Sequence, residues 1–157
     1  MTGALAAIRP DEWNLPLLVH VLGAMVLVGG LTTAVAFQYA GWRTDRDAAF
    51  GRVAFRALLL VALPAWFVMR AGADWIYRRE GWDEAAEEPA WLGVGWITAD
   101  LGGLLLVVSI ILAAIGVRRA RRGEQGRSAL LRVSAVLVTL ILLAYVIAVW
   151  AMTGKPD

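Results

Sequence analysis

Charge is almost absent from four long stretches of this chain: Leu15–Phe37, Val53–Ala73, Trp91–Val117 and Ala129–Met152. Each is long enough to cross a hydrocarbon layer of roughly 30 Å, which takes about 20 helical residues. Lipid offers the backbone no hydrogen bonds, so a crossing segment must close its own, and a helix does this without a partner. The runs predict an all-α integral membrane protein, a four-helix up-down bundle forming one transmembrane domain over residues 1–157. No segment between the runs approaches the roughly 40 residues below which a soluble core rarely holds by itself. The longest gap, from about Asp74 to Pro89, has room for one short surface helix.

Composition narrows the chemistry. Hydrophobic residues make up 60% of the chain and the mean hydropathy is +0.66, well above an ordinary soluble domain. There is no cysteine, which excludes disulfides, thiolate nucleophiles and cysteine-ligated metal clusters. The net charge of +2 is no sign of nucleic acid as a partner, because the basic residues gather at the ends of the apolar runs. The first run is retained rather than cleaved as a leader: it is too long, and only Arg9, beside Asp11 and Glu12, precedes it. Arginine outnumbers lysine fourteen to one, in keeping with a GC-rich bacterial coding sequence and hence a bacterial inner membrane.

The gaps set the orientation. The first carries Arg43, Arg46 and Arg52, with Arg56 just beyond. The third carries Arg118, Arg119, Arg121, Arg122 and Arg127, with Arg132 just beyond. The second holds Arg78 and Arg79 against Asp74, Glu80, Asp83, Glu84, Glu87 and Glu88. By the positive-inside rule the first and third gaps are cytoplasmic, and both termini are extracytoplasmic. Trp13, Trp75, Trp82, Trp91, Trp96 and Trp150 then fall at or near the outer boundary, where an indole keeps its ring half-buried and its N–H wet. Membrane lipid is the one partner the composition requires. Gly23, Gly29, Gly30 and Ala34 in the first run, and Ala99, Gly102 and Gly103 in the third, mark close helix contacts. Pro64 is expected to kink the second.

Ionisable side chains inside a span are costly and mark either function or a tight structural pair. Here they are His20, Arg70 and Asp100, with Gln38, Thr32, Thr33, Thr98, Thr139 and Ser109 as neutral polar groups. Helical rise places His20, Arg70 and Asp100 at similar depths near the outer face, on three different helices. His20 is the chain's one histidine. Its face continues through Gly23, Ala24, Leu27 and Ala34, so it points into the bundle. It is read either as a ligand for haem b, copper or another metal, or as a proton relay, or as an imidazole hydrogen-bonded to Asp100 or a backbone carbonyl. Met69 and Met152, near the outer end, are the candidate soft second ligands; otherwise a homo-oligomer supplies a second His20. Arg70 has Asp74 at i+4 for an ion pair and Trp66 at i−4 for its guanidinium. Asp100 has no cation on its own helix and needs His20 or Arg70. The acidic stretch Asp83–Glu88 reads as a solvated surface, and the Arg118–Arg122 cluster as an anchor on anionic headgroups.

Two stretches carry a resemblance. Leu18-Val19-His20-Val21-Leu22-Gly23-Ala24-Met25-Val26-Leu27-Val28-Gly29-Gly30 resembles the histidine-bearing opening helix of a bacterial group of uncharacterised four-span membrane proteins. Trp150-Ala151-Met152-Thr153-Gly154-Lys155-Pro156 resembles the ending common in that group. The group is similar to CopD-type copper-resistance membrane domains and HemJ-type protoporphyrinogen oxidases, whose span histidines bear on copper handling or haem chemistry. His20 is the residue that carries over, and the relatives' further histidines have no counterpart in this sequence.

Three functions follow as expectations. One is a non-enzymatic accessory or structural bundle, within a homo-oligomer or larger membrane complex, whose His20, Arg70 and Asp100 lock helices together. The second is a haem- or metal-binding membrane protein using His20. The third is a proton-coupled carrier or channel, formed as an oligomer, with His20 and Asp100 as relay groups.

Overall fold

The computed structural model describes residues 14–44, 46–84, 89–122 and 127–154. Arg9, Asp11, Glu12, Trp13, Glu87, Glu88, Lys155 and Pro156 lie outside them. The chain runs through α1 (Asn14–Thr44), α2 (Asp47–Ala57), a π-helical turn (Leu58–Ala62), α3 (Leu63–Arg79), α4 (Ala90–Arg121) and α5 (Arg127–Gly154). The turn joins α2 to α3 without leaving right-handed helical backbone, so they form one span. Four helical spans result, each long and apolar enough to cross a membrane, and there is no strand among the described residues.

The helices outrun the apolar runs that announced them. α1 continues past Phe37 to Thr44, and α3 past Ala73 to Arg79. Hydropathy marks where oil can surround a helix; capping chemistry marks where the helix stops. Arginines in the last turns of α1, α3 and α4 oppose the negative end of each helix dipole. Beyond α3, Gly81 takes a φ of 72°, a left-handed conformation that glycine adopts without a Cβ penalty. Pro89, extended at the N-cap of α4, opens the next span. Between them lies a 3-10 turn, Trp82–Glu84. The kink expected of Pro64 takes the form of the π turn immediately before it. The Leu63 amide reaches back to the Leu58 carbonyl, which widens the helix where the proline ring has no N–H to give.

Side-chain size is distributed inside-out. The interior is dominated by small residues: Ala34, Ala54, Ala62, Ala65, Ala99, Ala113, Ala135 and Ala148, with a few larger ones such as Leu27, Leu31, Leu58 and Leu106. Large apolar side chains cover the outside of every span, among them Leu22, Met25, Leu60, Phe67, Ile97, Leu104, Leu140, Leu143 and Ile147. In water so continuous an apolar exterior would drive association. In lipid it faces its own kind, and small interior residues let helices approach until dispersion contacts hold them.

The spans pack antiparallel. α1 lies against the α2–α3 span and against α5, and α4 lies against α5 and α2. The α1 seam is the tightest. A Cβ on Gly23 would fall 2.5 Å from the Met69 nitrogen, one on Gly30 3.1 Å from the Ala62 nitrogen, and one on Gly72 2.6 Å from the His20 nitrogen. Both ends of the seam are thus main chain against main chain. α3 and α4, by contrast, touch only lightly, so the bundle opens between them at the end that carries Trp75, Trp82, Trp91, Trp96 and Trp150.

Candidate functional site

The opening between α3 and α4 is filled by long polar and aromatic side chains. Arg70 of α3 donates from Nη1 to Asp74 Oδ1 at 2.5 Å and from Nε to Asp100 Oδ1 of α4 at 3.1 Å. Its guanidinium lies 4.1 Å from the ring centroid of Trp96, in cation–π range. Trp96 in turn meets Tyr77 edge to face at 5.3 Å. A planar guanidinium can serve two carboxylates and an indole face at once because its donors lie in one plane and its faces are free; an ammonium cannot. Asp74 follows Arg70 by one turn and shares its face, whereas Asp100 comes from the neighbouring span. Arg70 is therefore both a local and an interhelical tie.

Arg70, Asp74, Tyr77, Arg78, Trp96 and Asp100 line an open cleft of about 340 Å³. Asp100 is the more accessible carboxylate, its side chain 64% exposed against 47% for Asp74.

A second tier lies just below. The Trp66 indole lies against Gly103 of α4, where a Cβ would sit 2.4 Å from the ring, and its Nε1 donates to the Ala99 carbonyl at 2.8 Å. The adjacent Gly102 leaves room for Tyr145 of α5, whose hydroxyl would be 3.0 Å from a Cβ there. Two consecutive glycines thus admit aromatic rings from two different helices. The Tyr145 hydroxyl is buried with no hydrogen-bond partner among the described residues.

His20 is held apart from the carboxylates by its own bond. Its Nδ1 lies 2.9 Å from the Met69 carbonyl oxygen. A carbonyl can only accept, so Nδ1 carries the proton, and in the neutral ring Nε2 keeps its lone pair. The carbonyl alternative of the sequence reading is the arrangement seen, while Asp100 bonds to Arg70. The level shared by His20, Arg70 and Asp100 thus holds two separate ties, one on each side of α3. Met69 gives His20 its backbone oxygen; its side chain is buried, with Cβ facing Gly23. Met152 places its ε-methyl against Gly95 of α4. No group of three or more His, Cys, Asp or Glu side chains assembles as a metal site among the described residues.

Sequence reasoning passed over Ser134, which centres a buried network toward the arginine-rich end. Gln38 Nε2 of α1 donates to Ser134 Oγ of α5 at 3.0 Å, and Ser134 Oγ donates to the Ser109 carbonyl of α4 at 3.0 Å. All three residues are buried. The available signal was burial pattern alone: Ser134 shares the face of Leu131, Ala135, Val138 and Ile141, all buried. Four other hydroxyls of the spans turn back on their own helices. Thr32, Thr33, Thr139 and Ser109 donate to Val28, Gly29, Ala135 and Leu105, each four residues earlier, as threonine and serine do inside helices. Spacing suggested Trp66 against the Arg70 guanidinium; Trp96 covers it instead, and Trp66 bonds to Ala99.

Compared with known proteins, the chain matches no family model, no curated protein and no solved structure.

Proposed function

We propose that this chain is a multi-pass protein of a bacterial inner membrane, with its arginine-rich end cytoplasmic, acting as an accessory or structural helical bundle. One observation carries the reading: five polar side chains of the spans spend a donor on a neighbouring helix. His20 bonds to Met69, Trp66 to Ala99, Arg70 to Asp100, and Gln38 through Ser134 to Ser109. Such bonds fix helix order and rotation in lipid, where apolar surface alone discriminates poorly. A homo-oligomer or larger complex is the setting in which a bundle of this kind works.

The test is a spectrum and a melting curve of detergent-purified protein. The expected result is a colourless protein, free of copper and iron, whose His20→Ala variant melts at a lower temperature. Orientation is checked by cysteines placed at Glu84 and Arg121, which should label from opposite sides of the membrane; labelling from one side defeats it.

A second reading, haem or metal ligation by His20, draws support from the ring's orientation. A histidine whose Nδ1–H is fixed on a backbone carbonyl presents Nε2 as ligating histidines do. Among the described residues no group of three or more His, Cys, Asp or Glu surrounds it, so Met69, Met152 or a second copy of His20 would have to complete the donor set. A Soret band abolished in His20→Ala would establish this reading in place of the first.

A further inference from the structure

The cleft between α3 and α4 contains two guanidinium groups, Arg70 and Arg78, and two carboxylates, Asp74 and Asp100. Their charges cancel, but their bonding does not. Arg70 is committed on two edges and one face. Arg78 is exposed and makes no ion pair among the described residues. Each carboxylate gives Arg70 only its Oδ1, which leaves an Oδ2 on each. The cleft therefore offers an anion-binding group and cation-binding groups side by side, and the ligand that satisfies both is a zwitterion.

Depth specifies its kind, on the reading that the chain spans a bilayer. Arg43, Arg56, Arg118 and Arg132 belong at one headgroup layer, and about 20 helical residues cross the hydrocarbon. Counting that distance along each span places the opposite boundary near Gly23, Ile76, Thr98 and Met152. Asp74, Arg78 and Asp100 lie within a turn of that level. Deeper on the same helix faces come Phe67, three residues before Arg70, and Leu104, four after Asp100, both exposed. The side of the bundle is thus polar at the headgroup level and apolar just beneath it, the profile of an amphiphile with two acyl chains.

We infer that this cleft is a binding site for the headgroup of an amine-bearing zwitterionic phospholipid, with Arg78 on the phosphate and the free oxygens of Asp74 and Asp100 on the primary ammonium. A primary ammonium donates hydrogen bonds to carboxylates; a choline cannot, and relies on aromatic faces. The Trp96 face that choline would need already carries Arg70. An anionic phosphatidylglycerol headgroup would bring only neutral hydroxyl donors and a net negative charge to two carboxylates. Volume is adequate, since small-molecule sites begin at roughly 300 Å³.

The experiment is native mass spectrometry of the full chain in detergent, titrated in turn with phosphatidylethanolamine, phosphatidylcholine, phosphatidylglycerol and water-soluble phosphoethanolamine. The expected result is one phosphatidylethanolamine retained about tenfold better than the other two lipids, the value of one charge-assisted hydrogen bond. Arg78→Gln should lose about tenfold on phosphatidylethanolamine, and Asp100→Asn should remove the preference over phosphatidylglycerol. Arg78 is exposed and supports no other side chain, so its variant decides the matter even if Asp100→Asn folds poorly. Equal retention of all three lipids, or an Arg78→Gln variant that binds like the parent, overturns the site. Soluble phosphoethanolamine binding as tightly as the lipid overturns the assignment to a lipid. A chain that enters neither micelles nor bilayers would instead defeat the membrane reading itself.

Discussion

Gly72 lies so close to His20 that a Cβ on the glycine would fall 2.6 Å from the histidine's backbone nitrogen. No side-chain rotation relieves such a contact, because both groups are main chain. The approach brings the imidazole within reach of the Met69 carbonyl. Gly72→Ala should therefore force α1 and α3 apart, at a cost of about 1–3 kcal/mol for overpacking, and lengthen the His20–Met69 bond. Gly29 is the control: against the close contact expected of it from the sequence, nothing lies within 4 Å of its Cβ position, so Gly29→Ala should leave stability unchanged or raise it slightly through helix propensity. Thermal unfolding of both variants in one detergent makes the comparison. Equal melting temperatures would contradict the packing described.

Ser134 is both acceptor and donor in its network. Ser134→Ala strands the Gln38 amide and removes the donor to the Ser109 carbonyl, for a loss of about 1–2 kcal/mol. Gln38→Leu should cost less, although it deletes a larger polar group, because the Gln38 Oε1 is already without a partner and leaves with it. Denaturation midpoints should rank the parent first, then Gln38→Leu, then Ser134→Ala; the reverse order for the two variants would refute the network.

Removing Arg70 leaves Asp74 and Asp100 with no cation between them. Arg70→Ala should destabilise by on the order of 1–2 kcal/mol, below the cost of a buried pair because both carboxylates are substantially exposed to solvent. Arg70→Lys should recover only part, since an ammonium cannot serve both carboxylates while lying flat on Trp96. Adding Asp100→Asn to Arg70→Ala should restore stability rather than lower it further. A double-mutant cycle in melting temperature reads this coupling directly, and strict additivity would show that the two residues do not interact.

Much of the architecture was legible because each span is longer than any soluble helix needs to be and its charges lie at its ends. Span number, close-packing glycines such as Gly23 and Gly30, and the special status of Pro64 could all be read from residue type and spacing. What could not be read was rotation. Each span is apolar nearly all round, so nothing in the sequence of α3 says whether Trp66 or Trp96 will cover Arg70, or whether Asp100 meets an imidazole or a guanidinium. Those choices are made by where small residues let helices touch. Gly103 draws Trp66 toward the Ala99 carbonyl, which leaves Arg70 to Trp96. Ser134 was hidden for the same reason: an isolated hydroxyl in an oily run looks like any other until its helix is turned against two neighbours.

The wide turn at Leu58–Ala62 amounts to a spare residue in the second span, looped into the spiral without disturbing the phase on either side. Its flanks therefore keep their bearings, Ala54 toward the interior and Arg70 toward Asp100, as though the residue were not counted. A shortened chain lacking Leu60 and with Pro64→Ala could run as an ordinary helix through this point and still present both faces correctly. An additional residue there has no such slack to use and would swing the whole tryptophan-bearing half of the span by about 100°, carrying Arg70 and Asp74 together away from Asp100.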